Sequence, residues 1–110
     1  MQLNEFQIAS KRTMPSIYND QAKANYALGL CGEAGEVVDL IKKEVFHGHQ
    51  EEPEKVKNEL GDLMHYVAGV ATIYGWTLEE VCAANIKKLL IRYPNGFNSS
   101  DSIRRVDEEK

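Results

Sequence analysis

Two stretches of this chain share one pattern: GEAGEVVDLI at residues 32–41 and NELGDLMHYV at residues 58–67. Each contains two acidic residues three positions apart, set among apolar residues that recur every three or four positions. This period places the apolar residues on one face of an α-helix and brings the two acids of each pair to the same side. The pattern therefore predicts two amphipathic helices of similar local design.

Proline and capping residues divide the chain into helices. The three prolines lie where helical patterns end or have yet to begin. We predict an all-α fold of four main helices, over residues 3–13, 20–46, 53–74 and 77–92. Asp20 is expected to cap the second helix, and Thr77 with Glu80 forms a capping box for the fourth.

The acidic pairs lie at the edges of the predicted apolar stripes. Glu33 and Glu36 flank the stripe of the second helix, whereas Glu59 and Asp62 flank that of the third. The acids are therefore expected to border the core instead of covering the solvated face. The stripes comprise Ala27, Leu30, Ala34, Val38, Ile41 and Val45 on the second helix, and Val56, Leu60, Met64, Val67 and Ala71 on the third.

An antiparallel hairpin folded about residue 50 would bring the two acidic pairs together. Glu36 would lie level with Asp62, with Glu33 and Glu59 about one helical turn, ~5 Å, to either side. Two carboxylates ~4 Å apart repel by ~1–4 kcal/mol near a protein surface, so a strip of four needs a cation. Oxygen ligands suit a hard ion. We predict a site for Mg²⁺, with Mn²⁺ as an alternative, that could hold more than one ion.

The fourth predicted helix carries a row of phosphate-binding side chains. Asn85, Lys88 and Arg92 follow an i, i+3, i+7 spacing, and their amide, ammonium and guanidinium groups donate hydrogen bonds to phosphate oxygens. The row lies beside the apolar stripe Leu78, Cys82, Ile86, Leu89 and Tyr93. A metal ion held by the acids of the second and third helices, together with this row on the fourth, would suit a polyphosphate.

Composition excludes several classes of protein. The chain has 110 residues, 43% hydrophobic and 27% charged, which is typical of one globular domain. A net charge of −4 provides no basic surface for a nucleic-acid polymer. The longest nearly apolar stretch, residues 66–76, is too short to span a membrane. Without a signal-like leader, and with Cys31 and Cys82 inside helical patterns, we expect a cytoplasmic protein with reduced, buried thiols.

The order and spacing of these residues resemble a known family. Glu33-x-x-Glu36, a spacer of 22 residues and Glu59-x-x-Asp62 resemble the signature of the MazG-like all-α nucleoside triphosphate pyrophosphohydrolases. The later motif, Asn85-x-x-Lys88-Leu89-x-x-Arg92-Tyr93-Pro94-x-Gly96-Phe97, is similar to that of their small single-domain members. The resemblance assigns residues 1–97 to a MazG-like domain. Residues 98–110 are a polar tail, expected to be partly disordered or to form a short docked helix.

The resemblance implies Mg²⁺-dependent hydrolysis of a (deoxy)nucleoside triphosphate to the nucleoside monophosphate and pyrophosphate. It implies that all four acids bind metal and that Glu36 or Glu59 accepts the proton of the attacking water. The residues implied in substrate binding are Tyr66, Asn85, Lys88 and Arg92. Short helices leave apolar shoulders exposed, and members of the family are usually oligomers, so we expect a homodimer or homotetramer built as a helical bundle.

Two other interpretations remain open. Asp62-x-x-His65 weakly resembles the Glu-x-x-His element of di-iron bundles, but those sites take acids from four helices, and His65 points to the opposite side of its helix from Glu59. Alternatively, the chain is a non-catalytic helical interaction module whose acidic patch binds a basic partner. Stabilisation by divalent metal would favour the enzyme.

Overall fold

Five α-helices account for most of the chain. The computed structural model describes residues 1–108. The helices are α1 (Leu3–Ser10), α2 (Asp20–Phe46), α3 (Pro53–Ile73), α4 (Leu78–Arg92) and α5 (Ser99–Arg104), with 3₁₀ turns at Lys11–Thr13 and Val106–Glu108. No β-strand occurs within residues 1–108. The predicted all-α fold is confirmed, and the tail adds a short fifth helix to the four that were predicted.

Local signals fix the junction between α3 and α4. Gly75 adopts φ +78°, a left-handed conformation that glycine tolerates, and the N–H of Trp76 donates to the carbonyl of Ala71 at 2.9 Å. The predicted capping box at the start of α4 is confirmed. Thr77 Oγ1 accepts from the N–H of Glu80 at 3.1 Å, and Glu80 Oε1 accepts from the N–H of Thr77 at 2.6 Å.

The cap of α2 lies one residue earlier than predicted. The side chain of Asn19 accepts a hydrogen bond from the N–H of Ala22 at 2.9 Å and caps the helix. Asp20 is already helical, so its carboxylate lies in the first turn, where negative charge favours the positive end of the helix dipole. The prediction was wrong because Asn and Asp cap equally well and stand side by side here.

The hairpin of α2 and α3 is held by two reciprocal tyrosine–glycine contacts. The ring of Tyr26 lies against Gly69, and the ring of Tyr66 lies against Gly29. A Cβ at either glycine would overlap the facing ring, so the helices approach this closely only because both positions are glycine. The two tyrosine rings also contact each other, with centroids 5.3 Å apart.

These contacts set a register that differs from the predicted one. Because Tyr26 faces Gly69 and Tyr66 faces Gly29, Glu33 lies level with Asp62 in place of Glu36. The end of α2 is a glycine cap. The N–H groups of His47 and His49 both donate to the carbonyl of Lys43, at 3.0 and 3.2 Å, and Gly48 between them adopts φ +72°.

The aliphatic stripe predicted for α2 is only partly covered by α3. Val38, Ile41 and Val45 are 62%, 48% and 61% exposed. The helices pack instead on the face that carries glycine and tyrosine, because small residues allow the closer approach. The prediction of buried thiols was also wrong, since Cys31 is exposed and Cys82 is only half-buried. Both cysteines are unpaired, as expected.

The short helix α1 ties the junction of α3 and α4 together. The Gln7 amide donates to Thr72 Oγ1 at 3.0 Å and to the carbonyl of Trp76 at 2.9 Å, and it accepts from the N–H of Leu78 at 2.7 Å. Leu78, in the first turn of α4, is fully buried, whereas Ile86 further along is 57% exposed. The predicted stripe of α4 is therefore covered at its two ends, at buried Leu78 and at half-buried Tyr93, and is uncovered at Ile86 between them.

A single chain has a small core. The buried apolar side chains within the described residues are Ala22, Tyr26, Ala68, Ala71 and Leu78. The radius of gyration is 17.0 Å, compared with ~13 Å for a compact domain of this length. Much apolar surface is therefore uncovered in one chain. Among residues 1–108, no helix is both long enough and apolar enough to cross a membrane.

Candidate metal centre

Three of the four predicted acids converge between α2 and α3. Glu33, Glu59 and Asp62 each present one carboxylate oxygen, and the three atoms lie within 4.8 Å of one another. Glu33 follows Gly29 by about one turn of α2, and Asp62 precedes Tyr66 by about one turn of α3. The contact between Gly29 and Tyr66 therefore controls the distance between the acids. We refer to Glu33, Glu59 and Asp62 as the acidic cluster.

Glu36 lies outside the acidic cluster. Its side chain is exposed, and by the register of the hairpin it lies level with Glu59. Its negative charge nevertheless acts on Glu33, where it helps to raise the carboxyl pKa. The sequence predicted four ligands in one strip, but the structure brings three together and leaves the fourth beside them.

The neighbouring acids of the cluster raise the pKa of the Glu33 carboxyl. A hydrogen bond with the Glu59 carboxyl raises the pKa of Glu33 above its ordinary value of 4.5, with further contributions from partial burial and from the neighbouring negative charges. Carboxylates whose mutual repulsion raises a pKa mark a position where positive charge is favoured. Carboxylate oxygens at this spacing fit a hard divalent ion such as Mg²⁺ or Mn²⁺.

His65 belongs to a different network. Its Nδ1 lies 2.5 Å from Ser10 Oγ, and its Nε2 lies 3.4 Å from the hydroxyl of Tyr26. The Tyr26 ring is buried, and burial raises the pKa of its hydroxyl. Both ring nitrogens of His65 therefore have partners on α1 and α2, and His65 is not among the residues whose ligand atoms converge in the acidic cluster. The di-iron interpretation therefore lacks its histidine ligand.

The predicted phosphate-binding residues lie on α4, which packs against α1, α3 and the 3₁₀ turn at Val106–Glu108. Asn85 and Lys88 are exposed and form no hydrogen bond or ion pair with residues 1–108. Arg92 is engaged, because Nε and Nη2 donate to the two carboxylate oxygens of Asp107, each at 2.7 Å. The row is thus two exposed side chains followed by one that the tail holds.

Two features of the site were missed in the sequence. The motif Tyr-x-x-Gly occurs at Tyr26–Gly29 and again at Tyr66–Gly69, so the reciprocal contact had a signal in the repeated spacing. Asp107 had none, because one aspartate in a polar tail has no period that points to a partner. Tyr66, which was predicted to contact substrate, is also a structural residue of the hairpin.

A helical hairpin with carboxylates converging from both helices defines an all-α domain with a candidate divalent-cation site. A family model described as the MazG nucleotide pyrophosphohydrolase domain matches residues 21–97. The match covers most of the chain and contains the whole acidic cluster, and this chain belongs to the MazG family.

The comparisons with individual proteins are more limited. The chain is 37% identical over 73 residues to the Gene 37 protein of Mycobacterium phage L5. That alignment covers 63% of this chain and 64% of the phage protein, so the chain spans a little less than two thirds of that relative. No solved structure matches the chain.

Proposed function

We propose that this chain hydrolyses a ribo- or deoxynucleoside triphosphate to the nucleoside monophosphate and pyrophosphate in the presence of Mg²⁺ or Mn²⁺. The observation that carries the proposal is the convergence of Glu33, Glu59 and Asp62 between α2 and α3, inside the region that matches the family. Three carboxylates at this spacing are unfavourable without a cation and become favourable ligands with one.

Each acid has a defined part in this proposal. Glu33, Glu59 and Asp62 hold the divalent ion, which when bound withdraws charge from the triphosphate and helps to position water. A carboxylate accepts the proton of that water as its oxygen bonds to the α-phosphorus, while the bond to the bridging oxygen breaks and pyrophosphate leaves. The acceptor is Glu36 or Glu59. The position of Glu36 beside the acidic cluster keeps its carboxylate available for this role.

The substrate would extend from the acidic cluster toward cationic side chains. Tyr66 follows Asp62 by one turn and offers an aromatic surface to the nucleotide. Asn85 and Lys88 have exposed donors that suit phosphate oxygens, and Arg92 continues the same row. These residues would stabilise the charge that moves onto pyrophosphate.

We also propose that the chain assembles as a homodimer or homotetramer. Val38 and Ile41 on α2 are exposed in one chain although they form a continuous apolar stripe, and the buried core is too small for independent stability. Sedimentation velocity should give a mass of two or four chains. Val38→Lys and Ile41→Lys should lower it, whereas Gln50→Lys adds the same charge in an exposed loop and should not. A wild-type monomer would contradict this proposal.

The activity is tested by incubating the purified chain with Mg²⁺ and a panel of ribo- and deoxynucleoside triphosphates, and by separating pyrophosphate from orthophosphate. We expect the monophosphate and pyrophosphate in equal amounts, and loss of turnover on chelation. Asp62→Asn should abolish turnover and leave the helical circular-dichroism spectrum intact. Glu54→Gln, on the same helix but outside the acidic cluster, should retain it. Orthophosphate with a nucleoside diphosphate would refute the proposed cleavage point.

The two candidate proton acceptors are separated by measuring metal binding together with turnover. Glu59→Gln should weaken both, because Glu59 belongs to the acidic cluster. If Glu36 is the acceptor, Glu36→Gln should lose turnover and keep the rise in melting temperature that Mg²⁺ produces. If the wild-type chain shows neither pyrophosphate release nor stabilisation by Mg²⁺, it is a non-catalytic interaction module instead.

A further inference from the structure

The tail beyond the family-matched region folds back onto α4. The side chain of Asn98 accepts from the N–H of Asp101 at 2.7 Å and caps α5. Arg105 ends that helix in a left-handed conformation, φ +51°, which is unusual for a residue with a side chain. The reversal brings Val106–Glu108 against α4.

One carboxylate joins the tail to the row of phosphate-binding candidates. Asp107 accepts from Arg92 Nε and Nη2 at 2.7 Å each. The side chains of Arg92 and Asp107 are 15% and 1% exposed, which makes this the most buried ion pair among residues 1–108. Arg105 Nε lies 3.6 Å from the same carboxylate. A contact that is both bidentate and shielded from water fixes the plane of the guanidinium.

Asp107 contacts only one side of the Arg92 guanidinium. A guanidinium has five N–H donors, and the contact with Asp107 engages only the side that carries Nε and one N–H of Nη2. One N–H of Nη1 and the second N–H of Nη2 form the end of the guanidinium, which has the same two-pronged geometry and suits a phosphate. The Tyr93 ring lies beside the guanidinium, with its centroid 5.6 Å from Arg92 Cζ. Lys88 lies one turn before Arg92 on α4, so this end of the guanidinium would continue the same row.

We propose that Asp107 is a positioning residue that orients the guanidinium of Arg92 toward a phosphate group of the substrate. This inference rests on the proposed function, in which Arg92 contacts the triphosphate. It makes the tail, which lies outside the family-matched residues 21–97, a part of the substrate-binding apparatus.

The geometry of the contact favours positioning over competition between Asp107 and the substrate. Asp107 engages the Nε and Nη2 side of the Arg92 guanidinium, so the end of the guanidinium makes no contact with this carboxylate. The hydrogen bonds from Arg92 lower the pKa of Asp107 to about 2, and the ion pair that holds the guanidinium is therefore present at neutral pH.

The experiment compares kinetic parameters of the full chain, four single variants and the double variant of Arg92→Lys with Asp107→Asn. Asp107→Asn should raise the KM for the triphosphate by about 10- to 100-fold, by analogy with the loss of a residue that orients a metal ligand, and leave kcat nearly unchanged. Asp107→Glu keeps the charge and should recover part of the loss. Glu108→Gln changes a neighbouring exposed carboxylate and should behave as the wild type. The effects of Arg92→Lys and Asp107→Asn should not add, because both act through one guanidinium.

A binding measurement separates failure of this inference from failure of the proposed function. Calorimetric titration of inorganic pyrophosphate in Mg²⁺ should show weaker binding to Asp107→Asn than to the wild-type chain, whether or not the chain turns over a triphosphate. A wild-type chain that binds pyrophosphate but hydrolyses no triphosphate would refute the proposed function and leave the inference about Asp107 standing. Equal pyrophosphate affinity, including no binding by either protein, overturns the inference. Tighter binding by Asp107→Asn also overturns it and makes the tail an inhibitor of the site.

Discussion

Substitution of Gly29 by alanine tests the contact that sets the register of the hairpin. A methyl group at Gly29 would overlap three atoms of the Tyr66 ring. Gly32, less than one turn further along the same helix, has no atom within 4 Å of such a methyl group. The two substitutions make the same chemical change in one helix, and only one of them meets a neighbour.

The expected effects have opposite signs. Alanine is favoured over glycine in a helix interior by ~1 kcal/mol, so Gly32→Ala should raise the free energy of unfolding by about that amount. Gly29→Ala has the same gain, but the overlap forces the Tyr66 ring or α3 to move, at a cost of ~2–3 kcal/mol for an overpacked contact. The net loss is ~1–2 kcal/mol, and the two variants should differ by ~2–3 kcal/mol, or roughly 10 °C in melting temperature.

The assay is thermal and urea denaturation at one fixed protein concentration, since assembly makes stability concentration-dependent. Tyr66→Ala provides the decisive control. In that background the methyl group of Gly29→Ala has no ring to meet, so the substitution should become stabilising, as Gly32→Ala is. If Gly29→Ala stabilises the wild-type chain, or still destabilises the Tyr66→Ala variant, the tyrosine–glycine contact does not set the packing.

The titration of carboxylates and the helix ends give further tests. The raised pKa of Glu33 means that the folded chain binds its proton more tightly than the unfolded chain does. Without metal, the melting temperature should therefore rise as pH falls from about 7 toward the ordinary value of 4.5, and the gain from Mg²⁺ should shrink; Glu59→Gln should weaken both trends. Asp107 has a pKa lowered from 3.8 to about 2, so its stabilisation is complete above 3.8 and is lost as pH falls to about 2; acid unfolding of Asp107→Asn should lack this component. Gly75→Ala, at φ +78°, should lower the free energy of unfolding by ~1 kcal/mol in urea, whereas Gly61→Ala, which has no neighbour within 4 Å, should raise it by a similar amount.

The helices could be predicted from the sequence because their ends depend on nearby residues. The capping box of Thr77 and Glu80 and the glycine stop at Gly75 act within one turn, so no tertiary information is needed. The register of the hairpin depends on which faces meet. Burial of the aliphatic stripe that contains Val38 would remove more apolar surface from water than burial of the glycine–tyrosine face, yet Val38 is 62% exposed in one chain. A periodic pattern shows that a face is buried, but not whether its own chain or another copy covers it.

The acidic cluster shows how one register error changes a site. Spacing alone identified four acids and predicted that Glu36 would face Asp62. The tyrosine–glycine contacts place Glu33 at that height instead, and a shift of about one turn is enough to leave Glu36 outside the group of three acids that converge. Residue types and helix faces could therefore be predicted from the sequence, but which of the acids lie within 4.8 Å of one another could not. Asp107 lay beyond prediction altogether, since only the fold brings it to Arg92.

Repulsion between the carboxylates of the acidic cluster opposes the close packing of α2 and α3. Glu33 and Asp62 are brought together by the same α2–α3 contact that places Tyr66 on Gly29, so closer packing of the helices increases carboxylate repulsion. A divalent ion would reverse the sign of this interaction and contribute ~2.7 kcal/mol at a concentration of 100 times its Kd. That is a large share of the stability of a small domain. For a chain with so few buried side chains, occupation of the site by a divalent ion and the close approach of α2 and α3 are therefore expected to be linked, so that an ion bound there would also stabilise the hairpin.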